Sequence, residues 1–577
     1  MSSNPGNQPS LNGVLKNFQS SGEEMLQLDF VENQPAGAES LVIGSWRGWI
    51  SLGAREKARS LAFSSLDSEG LLAIDGAIWV TPESHFSGSV HNYLRSDICN
   101  LGNLRGAFSG VLITKDLVYL FADHIRSKNL FYYFAEDTST LFFSSDIVQL
   151  SATLRANSIS IRRCEKGARA LLTFGFMLGS ETLIGGVKRV SPGSAVIVRA
   201  DKVDEIEYHR FSNEPASIRK SRHFYVGELQ ERFSSAVKMA FDWDRRHGYS
   251  HLANLSGGLD SRNVVAEAVA LGFQEILTCT TSAPSYLDQE IAAKVAAALG
   301  VENIFYSLGD GDYLANLTHA VRANGGLVFA SGSAHILSMM AHIKTDDRGL
   351  LHTGLIGDGV MGTFLRRRGQ EHSDPLAGAS SRFLFEWAEE VAAPFWSRFP
   401  NDEMFKLYTR GFNGVMNGFH SLSSYTTSVS AFLDPDFVSF CLSIPSDIRY
   451  GSTGAGIYRD WILLKRHSVS RFRWERTGLS PRVPNPIAKM SMLARGAARR
   501  TGIKQWRFSM TPIADWYNTN PLVKRTWVEQ FDEKKPLLGD DPEILKAAET
   551  LFAHGTPTEK DQVLTLLLAH EVLGIVS

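Results

Sequence analysis

Ser256-Gly257-Gly258-Leu259-Asp260-Ser261 decides how this chain is to be read. A short, mostly apolar run, Leu252-Ala253-Asn254-Leu255, precedes it. A helical pattern follows, with Val264, Val265, Ala268 and Val269 on one side. Strand, glycine-rich turn and helix make a geometry that holds phosphate. Backbone N–H groups of such a turn point into a concavity, and the helix start adds unpaired N–H groups with partial positive charge. Gly257 and Gly258 let the backbone approach oxygen atoms with no Cβ in the way. The hydroxyls of Ser256 and Ser261 are further donors. Asp260 repels a bare phosphate, so its presence argues for a bridging Mg2+. The alternative is an ordinary serine- and glycine-rich turn, and the full hexapeptide between strand and helix favours nucleotide.

Composition bounds the rest. A chain of 577 residues is too long for one ordinary core, so two or more domains are expected. Hydrophobic residues at 44% and charged residues at 21% are those of a folded soluble protein. A net charge of -2 argues against a nucleic-acid-binding surface over the whole molecule. No apolar run is long enough to span a bilayer, and the polar start Met1-Ser2-Ser3-Asn4-Pro5-Gly6 lacks a secretion signal, so a cytoplasmic protein is expected. Cys99, Cys164, Cys279 and Cys441 are scattered and form no Cys-x-x-Cys pair, which indicates neither a zinc knuckle nor a disulfide framework.

Residues 1–39 read as a flexible lead-in. From Leu71 to about Phe211 short apolar runs are broken by turns, as in Val111-Leu112-Ile113, Leu130-Phe131-Tyr132-Tyr133-Phe134 and Ala195-Val196-Ile197-Val198. They predict a mostly antiparallel sheet domain over 40–211, with helices near Ile147–Ala156 and Cys164–Phe174. The polar, proline-containing segment within 212–222 reads as a linker. Over 223–577 long helical patterns alternate with strands near Leu252–Leu255, Glu275–Thr280 and Leu350–Thr353, which predicts a parallel sheet flanked by helices. Beyond about Pro375 the chain reads as almost all helix.

The hexapeptide resembles the pyrophosphate-binding loop of enzymes that cleave ATP to AMP and pyrophosphate, and its form is similar to that of the asparagine synthetase family. Arg262 extends the match to relatives in surface-polysaccharide and natural-product pathways. Thr353-Gly354-Leu355-Ile356-Gly357-Asp358-Gly359-Val360-Met361-Gly362 is similar to the family's second phosphate loop, with Asp358 on its metal-binding aspartate. Two family glutamates are replaced there by Leu355 and Gly359. The resemblance implies ATP and Mg2+ as cofactors. Leu255, Ser256, Gly257, Gly258, Leu259, Asp260, Ser261, Thr353, Gly354 and Gly357 would hold ATP and pyrophosphate, and Asp260 and Asp358 would hold the metal. Asp288-Gln289-Glu290 matches the family's acidic helix start; it either sits near the phosphates or favours the first helical turn. Phe432-Leu433-Asp434 resembles a packing segment of the family.

Several segments resemble the family's N-terminal glutamine-hydrolysing domain: Gly106-Ala107-Phe108-Ser109-Gly110, Asp123-His124 with Asn129 to Tyr133, Phe143-Ser144-Ser145-Asp146, and Thr182 to Gly193. The expected fold is therefore α/β and α+β in two domains: an N-terminal Ntn-hydrolase-like β-sandwich layered with helices, then a parallel-sheet nucleotide-binding domain with a mostly helical extension. Glutamine hydrolysis in the family uses an N-terminal cysteine, whose own α-amine serves as base. Here Ser2 stands at that place and no cysteine precedes Cys99. The family's asparagine-glycine oxyanion pair is Asp75-Gly76, and a carboxylate opposes a developing oxyanion. The first domain is expected to lack glutaminase activity, with Ser2 as a replacement nucleophile the alternative.

The family's catalytic lysine has no clear counterpart. Arg476, in Arg476-Thr477-Gly478, aligns with it; Lys465 and Tyr458 are the other catalytic candidates. Arginine keeps the charge but sheds no proton, and it could equally cap a helix or pair with a carboxylate. Lys489, Arg495, Arg499, Arg500, Lys504 and Arg507, interleaved with Trp506 and Phe508, either grip an anionic substrate or form a solvated helix face.

The resemblance implies an AMP-forming ligase: a substrate carboxylate is adenylated and an amine then attacks. A natural-product or surface-glycan pathway is expected. The implied partners are a small-molecule or peptide carboxylate and an amine, with a partner protein supplying substrate or ammonia and a homodimer as further possibilities, and without nucleic acid or membrane. A catalytically degenerate scaffold of the same fold is the main competitor. A related enzyme that thiolates nucleic acid is the lesser one, with only Cys279 in its support.

Overall fold

Short apolar runs bounded by turns form strands because alternate side chains can be buried against a second sheet. The computed structural model describes residues 11–17, 39–43, 45–52, 62–67, 70–80, 89–365, 378–381, 383–450, 456–500 and 509–576. The strands β1 (Leu11–Asn17), β2 (Glu39–Ile43), β3 (Trp46–Leu52), β4 (Ala62–Asp67), β5 (Gly70–Val80) and β6 (Leu104–Thr114) come first. Then come β7 (Val118–Ala122), β8 (Phe131–Ala135), β9 (Thr140–Ser144), β10 (Lys188–Arg189), β11 (Ser194–Val198) and β12 (Val203–Glu207). They make two antiparallel sheets, in the orders β10-β8-β9-β1-β3-β2 and β12-β11-β7-β6-β5-β4. Leu11, Leu15, Trp46, Val111, Leu141 and Val196 join one core cluster drawn from both sheets. Helices α1 (Ile147–Ala156) and α2 (Glu165–Phe174) bury Leu150, Leu154 and Leu171 with Phe131 and Phe142 of the first sheet.

The flexible lead-in over 1–39 is corrected for Leu11–Asn17. That segment is β1, paired with β3 on one side and β9 on the other. Its polar Asn12, Lys16 and Asn17 hid it, yet Leu11, Val14 and Leu15 are buried. Gly13 is needed because a Cβ there would fall 2.3 Å from the Phe143 ring. Ser2 lies outside the described residues.

Asp75-Gly76 sits in the middle of β5. Gly76 has φ +114°, and a Cβ would meet the Ala107 carbonyl oxygen at 2.1 Å, so close pairing with β6 demands glycine. Asp75 is buried and ion-paired with Lys128 at 2.6 Å. Lys128→Met would strand a buried carboxylate, a loss of about 3–5 kcal/mol. Urea unfolding followed by a probe in the sandwich measures it.

No helix or strand occurs between β12 and α3 (Arg222–Arg246). Then strands alternate with helices: β13 (Ser250–Asn254), α4 (Leu259–Ala270), β14 (Ile276–Ser282), α5 (Leu287–Leu299), β15 (Glu302–Ser307) and β16 (Arg348–Thr353). With β17 (Ser428–Ser430) they give a parallel sheet of order β15-β14-β13-β16-β17. Parallel strands need crossover connections, and the intervening helices supply them. Sequence reading missed β15, whose residues are mostly half-buried or exposed, and β17, whose three residues fall in the stretch read as helix.

The remaining described chain is helical, including α6 (Gly456–Lys465), α7 (Asn485–Arg500) and α8 (Pro557–Leu573). A capping box between Thr556 and Glu559 starts α8, which is buried nearly all round. It shares a core with α1, α2 and the parallel sheet. The buried Arg126 and Arg189 also tie the halves together. Arg126 donates to the Phe412 carbonyl, and Arg189 donates to Asn417 Oδ1 at 2.9 Å. Among the described residues no helix is long and apolar enough to cross a membrane.

Candidate active site

Strands β13 and β16 are neighbours, with Leu252 opposite Leu351 and Ala253 opposite His352. Their parallel pairing sends both following loops off the same edge of the sheet, where ligands bind in open α/β folds. The first loop runs from Leu255 through Gly258 into α4; Gly258 is the N-cap, with extended backbone. The second runs from Gly354 to Asp358 and enters a single π-helical turn, Gly359–Thr363.

The loops touch. The Asp358 N–H donates to Asp260 Oδ2 at 3.0 Å, and the Tyr458 hydroxyl, from α6, donates to Oδ1 at 2.6 Å. A Cβ on Gly354 would lie 2.4 Å from the Ser261 nitrogen, and one on Gly357 would lie 2.8 Å from the Asp260 carboxyl carbon. Only glycine lets the second loop come this close. Thr353 ends β16 and binds the Val429 carbonyl at 2.9 Å through its hydroxyl.

Asp260 is pushed up to about 7, first by burial and then by the charge of Asp358. The Tyr458 and Asp358 donors and the Arg476 charge oppose that rise. Tyr458, 2% exposed, is held well above its usual value by burial and by Asp260. Asp358 is exposed and accepts a hydrogen bond from Thr363 Oγ1 at 3.2 Å. Two adjacent carboxylates, one ionising only near neutrality because it is buried and lies beside the other, suit a hard divalent cation with oxygen ligands. Tyr458→Phe would remove a hydrogen bond to an ionisable group, worth about 1.5–3 kcal/mol. A loss of that size is about 10- to 150-fold in divalent-cation affinity at the pair, read in a calorimetric titration with Mg2+ and ATP.

The first loop is more self-contained than its sequence suggests. Ser256 N–H donates to Ser261 Oγ at 3.0 Å, Gly258 N–H donates to Ser256 Oγ at 3.2 Å, and Gly257 N–H donates to Asp288 Oδ1. The expected open row of N–H donors is thus partnered at these three residues. The helix-start N–H groups of Leu259, Asp260 and Ser261 remain those a helix leaves without internal partners. Asp288, left open between two roles, lies under the loop; burial pushes it up to about 6 against the Gly257 donor.

A third segment closes the site. Glu475 N–H donates to the Gly257 carbonyl at 3.1 Å, and Glu475 Oε1 accepts from the Tyr286 hydroxyl at 2.7 Å. Arg262, fully buried, donates to the Gly257 carbonyl at 2.9 Å and the Arg473 carbonyl at 2.8 Å, and more weakly to Val469 and Phe472. Burial draws its guanidinium down to about 10. Arg476 is half-buried, its guanidinium 5.8 Å from the Trp474 ring centre. Of the three catalytic candidates, Tyr458 and Arg476 act on Asp260. Lys465 is exposed at the end of α6 and is not among the groups that shift Asp260 or bind its carboxylate. Sequence reading missed Glu475 and Tyr286, which lie far from the loop in sequence and carry no motif.

Lys489 and Arg495 lie on α7, whose Ser491 Oγ donates to the Thr477 carbonyl at 2.9 Å. The side chains of Arg499 and Arg500, and all of Lys504, Trp506, Arg507 and Phe508, are outside what is described. Cys279 is buried and its thiol is pushed up to about 12, which suits no thiolate chemistry.

Residues 228–417 match the family described as asparagine synthase. Asparagine synthetase [glutamine-hydrolyzing] 1 of Bacillus subtilis (strain 168) is 25% identical over 230 residues, 38% of this chain and 33% of the relative. The chain thus spans about a third of the length of that curated relative. Glutamine phosphoribosylpyrophosphate amidotransferase from B. subtilis, complexed with ADP and GMP, aligns at 12% identity with a TM-score of 0.20, covering 46% of this chain and 77% of that one. NAD+ synthetase from Burkholderia pseudomallei aligns at 14% and 0.19, covering 50% and 100%. Superpositions this loose carry no weight for site or chemistry. Residues 228–417, which hold both loops and both aspartates, match the asparagine synthase family, and over that part the chain is similar to asparagine synthetase.

Proposed function

We propose that this protein is an ATP-dependent ligase that adenylates a substrate carboxylate, releases pyrophosphate and passes the acyl group to an amine, forming an amide and AMP. The carrying observation is the contact between the two loops, which sets Asp260 against Asp358 at the edge of the parallel sheet. Asp260 and Asp358 would hold Mg2+, which when bound neutralises phosphate charge. The hydroxyls of Ser256 and Ser261, the start of α4, and the glycines at 257, 258, 354 and 357 receive the phosphates; Leu255 and Thr353 anchor the loops to the sheet. Tyr458 fixes the Asp260 carboxylate. Arg476 supplies positive charge beside it, which stabilises oxyanions but does not remove a proton from the amine.

The nitrogen comes from an amine or ammonia supplied from outside the chain; supporting this, Asp75-Gly76 stands in the sequence where the family's asparagine-glycine pair is expected, and a carboxylate opposes a developing oxyanion. A cytoplasmic biosynthetic role in natural-product or surface-glycan assembly fits this chemistry. Two features favour a degenerate scaffold instead: Ser256, Gly257 and Gly258 already spend their N–H groups within the protein, and Leu355 and Gly359 stand where the family has acidic residues.

ATP–pyrophosphate exchange with a panel of carboxylates decides between the two. Carboxylate-dependent exchange supports the ligase, and its absence with retained folding supports the scaffold. Glutamate release from glutamine that disappears on Ser2→Ala would overturn the claim about the first domain.

A further inference from the structure

A buried cluster sits beneath the two loops. Asp244, at the end of α3, accepts a hydrogen bond from His251 Nδ1 at 2.9 Å and one from His352 Nε2 at 2.7 Å, both on the same carboxylate oxygen, Oδ2. Its other oxygen, Oδ1, accepts the Leu350 N–H at 2.8 Å. All three side chains are buried, and His352 stacks on Phe241 with ring centres 3.7 Å apart. His251 lies on β13, five residues before Ser256; His352 lies on β16, immediately before Thr353.

The cluster coincides with a fault in the ladder. Ser250 pairs with Arg348 but Leu252 pairs with Leu351, so His251 alone faces the two residues Gly349 and Leu350. Such a bulge leaves backbone groups outside the ladder. Asp244 takes up the Leu350 N–H that the bulge turns aside, and a Cβ on Gly349 would fall 2.1 Å from Asp244 Oδ1. One carboxylate therefore reads both strands and the bulge together. The imidazole donors and the Leu350 N–H hold that carboxylate below its usual range in spite of burial, and burial keeps His352 low.

We infer that Asp244, His251 and His352 form a positioning clamp that fixes the register of β13 against β16, and with it the spacing of the two loops that carry Asp260 and Asp358. The catalytic part of this inference rests on the ligase reading; the structural part does not. A slip of one residue moves a strand by about 3.3 Å and turns its side chains to the other face. The 3.0 Å hydrogen bond from Asp358 to Asp260 does not survive such a shift. A metal centre is the competing use of the same residues. Zinc ligation at about 2.0–2.2 Å spreads tetrahedral donors to about 3.3 Å or more. The observed 2.9 and 2.7 Å are hydrogen-bond separations instead.

The test uses donors of matched reach. A glutamine amide nitrogen at 352 replaces Nε2, and an asparagine amide nitrogen at 251 replaces Nδ1; leucine at either place replaces nothing. Hydrogen–deuterium exchange is read over 256–261, 353–358 and, as control, β5 and β6. Pyrophosphate exchange is followed for kcat and KM, and zinc is measured in the purified full chain. His352→Leu and His251→Leu are expected to deprotect both loops and leave β5 and β6 unchanged. They should lower kcat about 100-fold, the cost of a roughly 1 Å misplacement. His352→Gln and His251→Asn should recover loop protection and most of kcat.

Equal loop protection in the leucine and amide variants would overturn the clamp, as would stoichiometric zinc in the wild type. If wild type shows no pyrophosphate exchange, the ligase reading fails while the loop measurement still decides the clamp. Should His352→Leu not fold, His352→Asn, whose amide falls short of Asp244, gives the same comparison with His352→Gln.

Discussion

Asp260→Asn is expected to lower ATP–pyrophosphate exchange about 10²–10³-fold, the scale on which a preorganised electrostatic group contributes to catalysis. Ligand-free protein carrying the same change should be more stable at pH 8. The wild-type carboxyl is pushed up to about 7 from 3.8. Between those values the folded state keeps a proton that the unfolded chain has lost. Stability then falls as pH rises through that window. Asparagine has no such proton to lose, so the fall should be smaller in the variant. Urea unfolding of both proteins at pH 5 and pH 8 measures the difference and cancels the other buried carboxyls. The wild type should regain stability at pH 8 when Mg2+ and ATP are present, and the variant should not. Unchanged exchange in Asp260→Asn would remove this carboxylate from the reaction.

Arg262→Met is expected to cost about 3 kcal/mol or more, because a hydrogen bond to a charged group is worth about 1.5–3 kcal/mol and the guanidinium donates to several carbonyls. Those carbonyls belong to Gly257 in the first loop and to Val469, Phe472 and Arg473 in the segment leading to Arg476. The loss should therefore be local first. ATP binding should weaken through detachment of Glu475 from Gly257, and exchange protection at 256–261 should fall before that of β5 and β6. Lysine should not rescue, since one ammonium cannot reproduce the planar fork. A uniform loss of protection across the whole chain would show that Arg262 serves global stability instead.

Legibility followed the range of each signal. The hexapeptide announced itself because its glycines, hydroxyls and helix start all fall in one short run. Helices Ile147–Ala156 and Glu165–Phe174 were readable within a residue, since their apolar spacing is local. β1 was unreadable because its polar residues mask a strand whose two partners are distant in sequence, β9 by more than a hundred residues. β17 was too short to show a period. Glu475, Tyr286 and the partners of Arg262 carry no local signal, since each acquires a role only through a contact with the first loop.

The chain's own order of residues determined the two glycine-rich loops, the strand–turn–helix setting of the first, and the residues Asp75, Leu355 and Gly359 within their local segments. Short-range chemistry suffices for these, because a turn's donors and a glycine's freedom lie within a few residues. Tertiary structure alone decided that Asp260 meets Asp358, that Tyr458 rather than Lys465 reaches that pair, and that Asp244 spans the bulge between their strands. Those outcomes depend on strand register and helix docking, which sum weak contacts over the whole domain and leave no local mark.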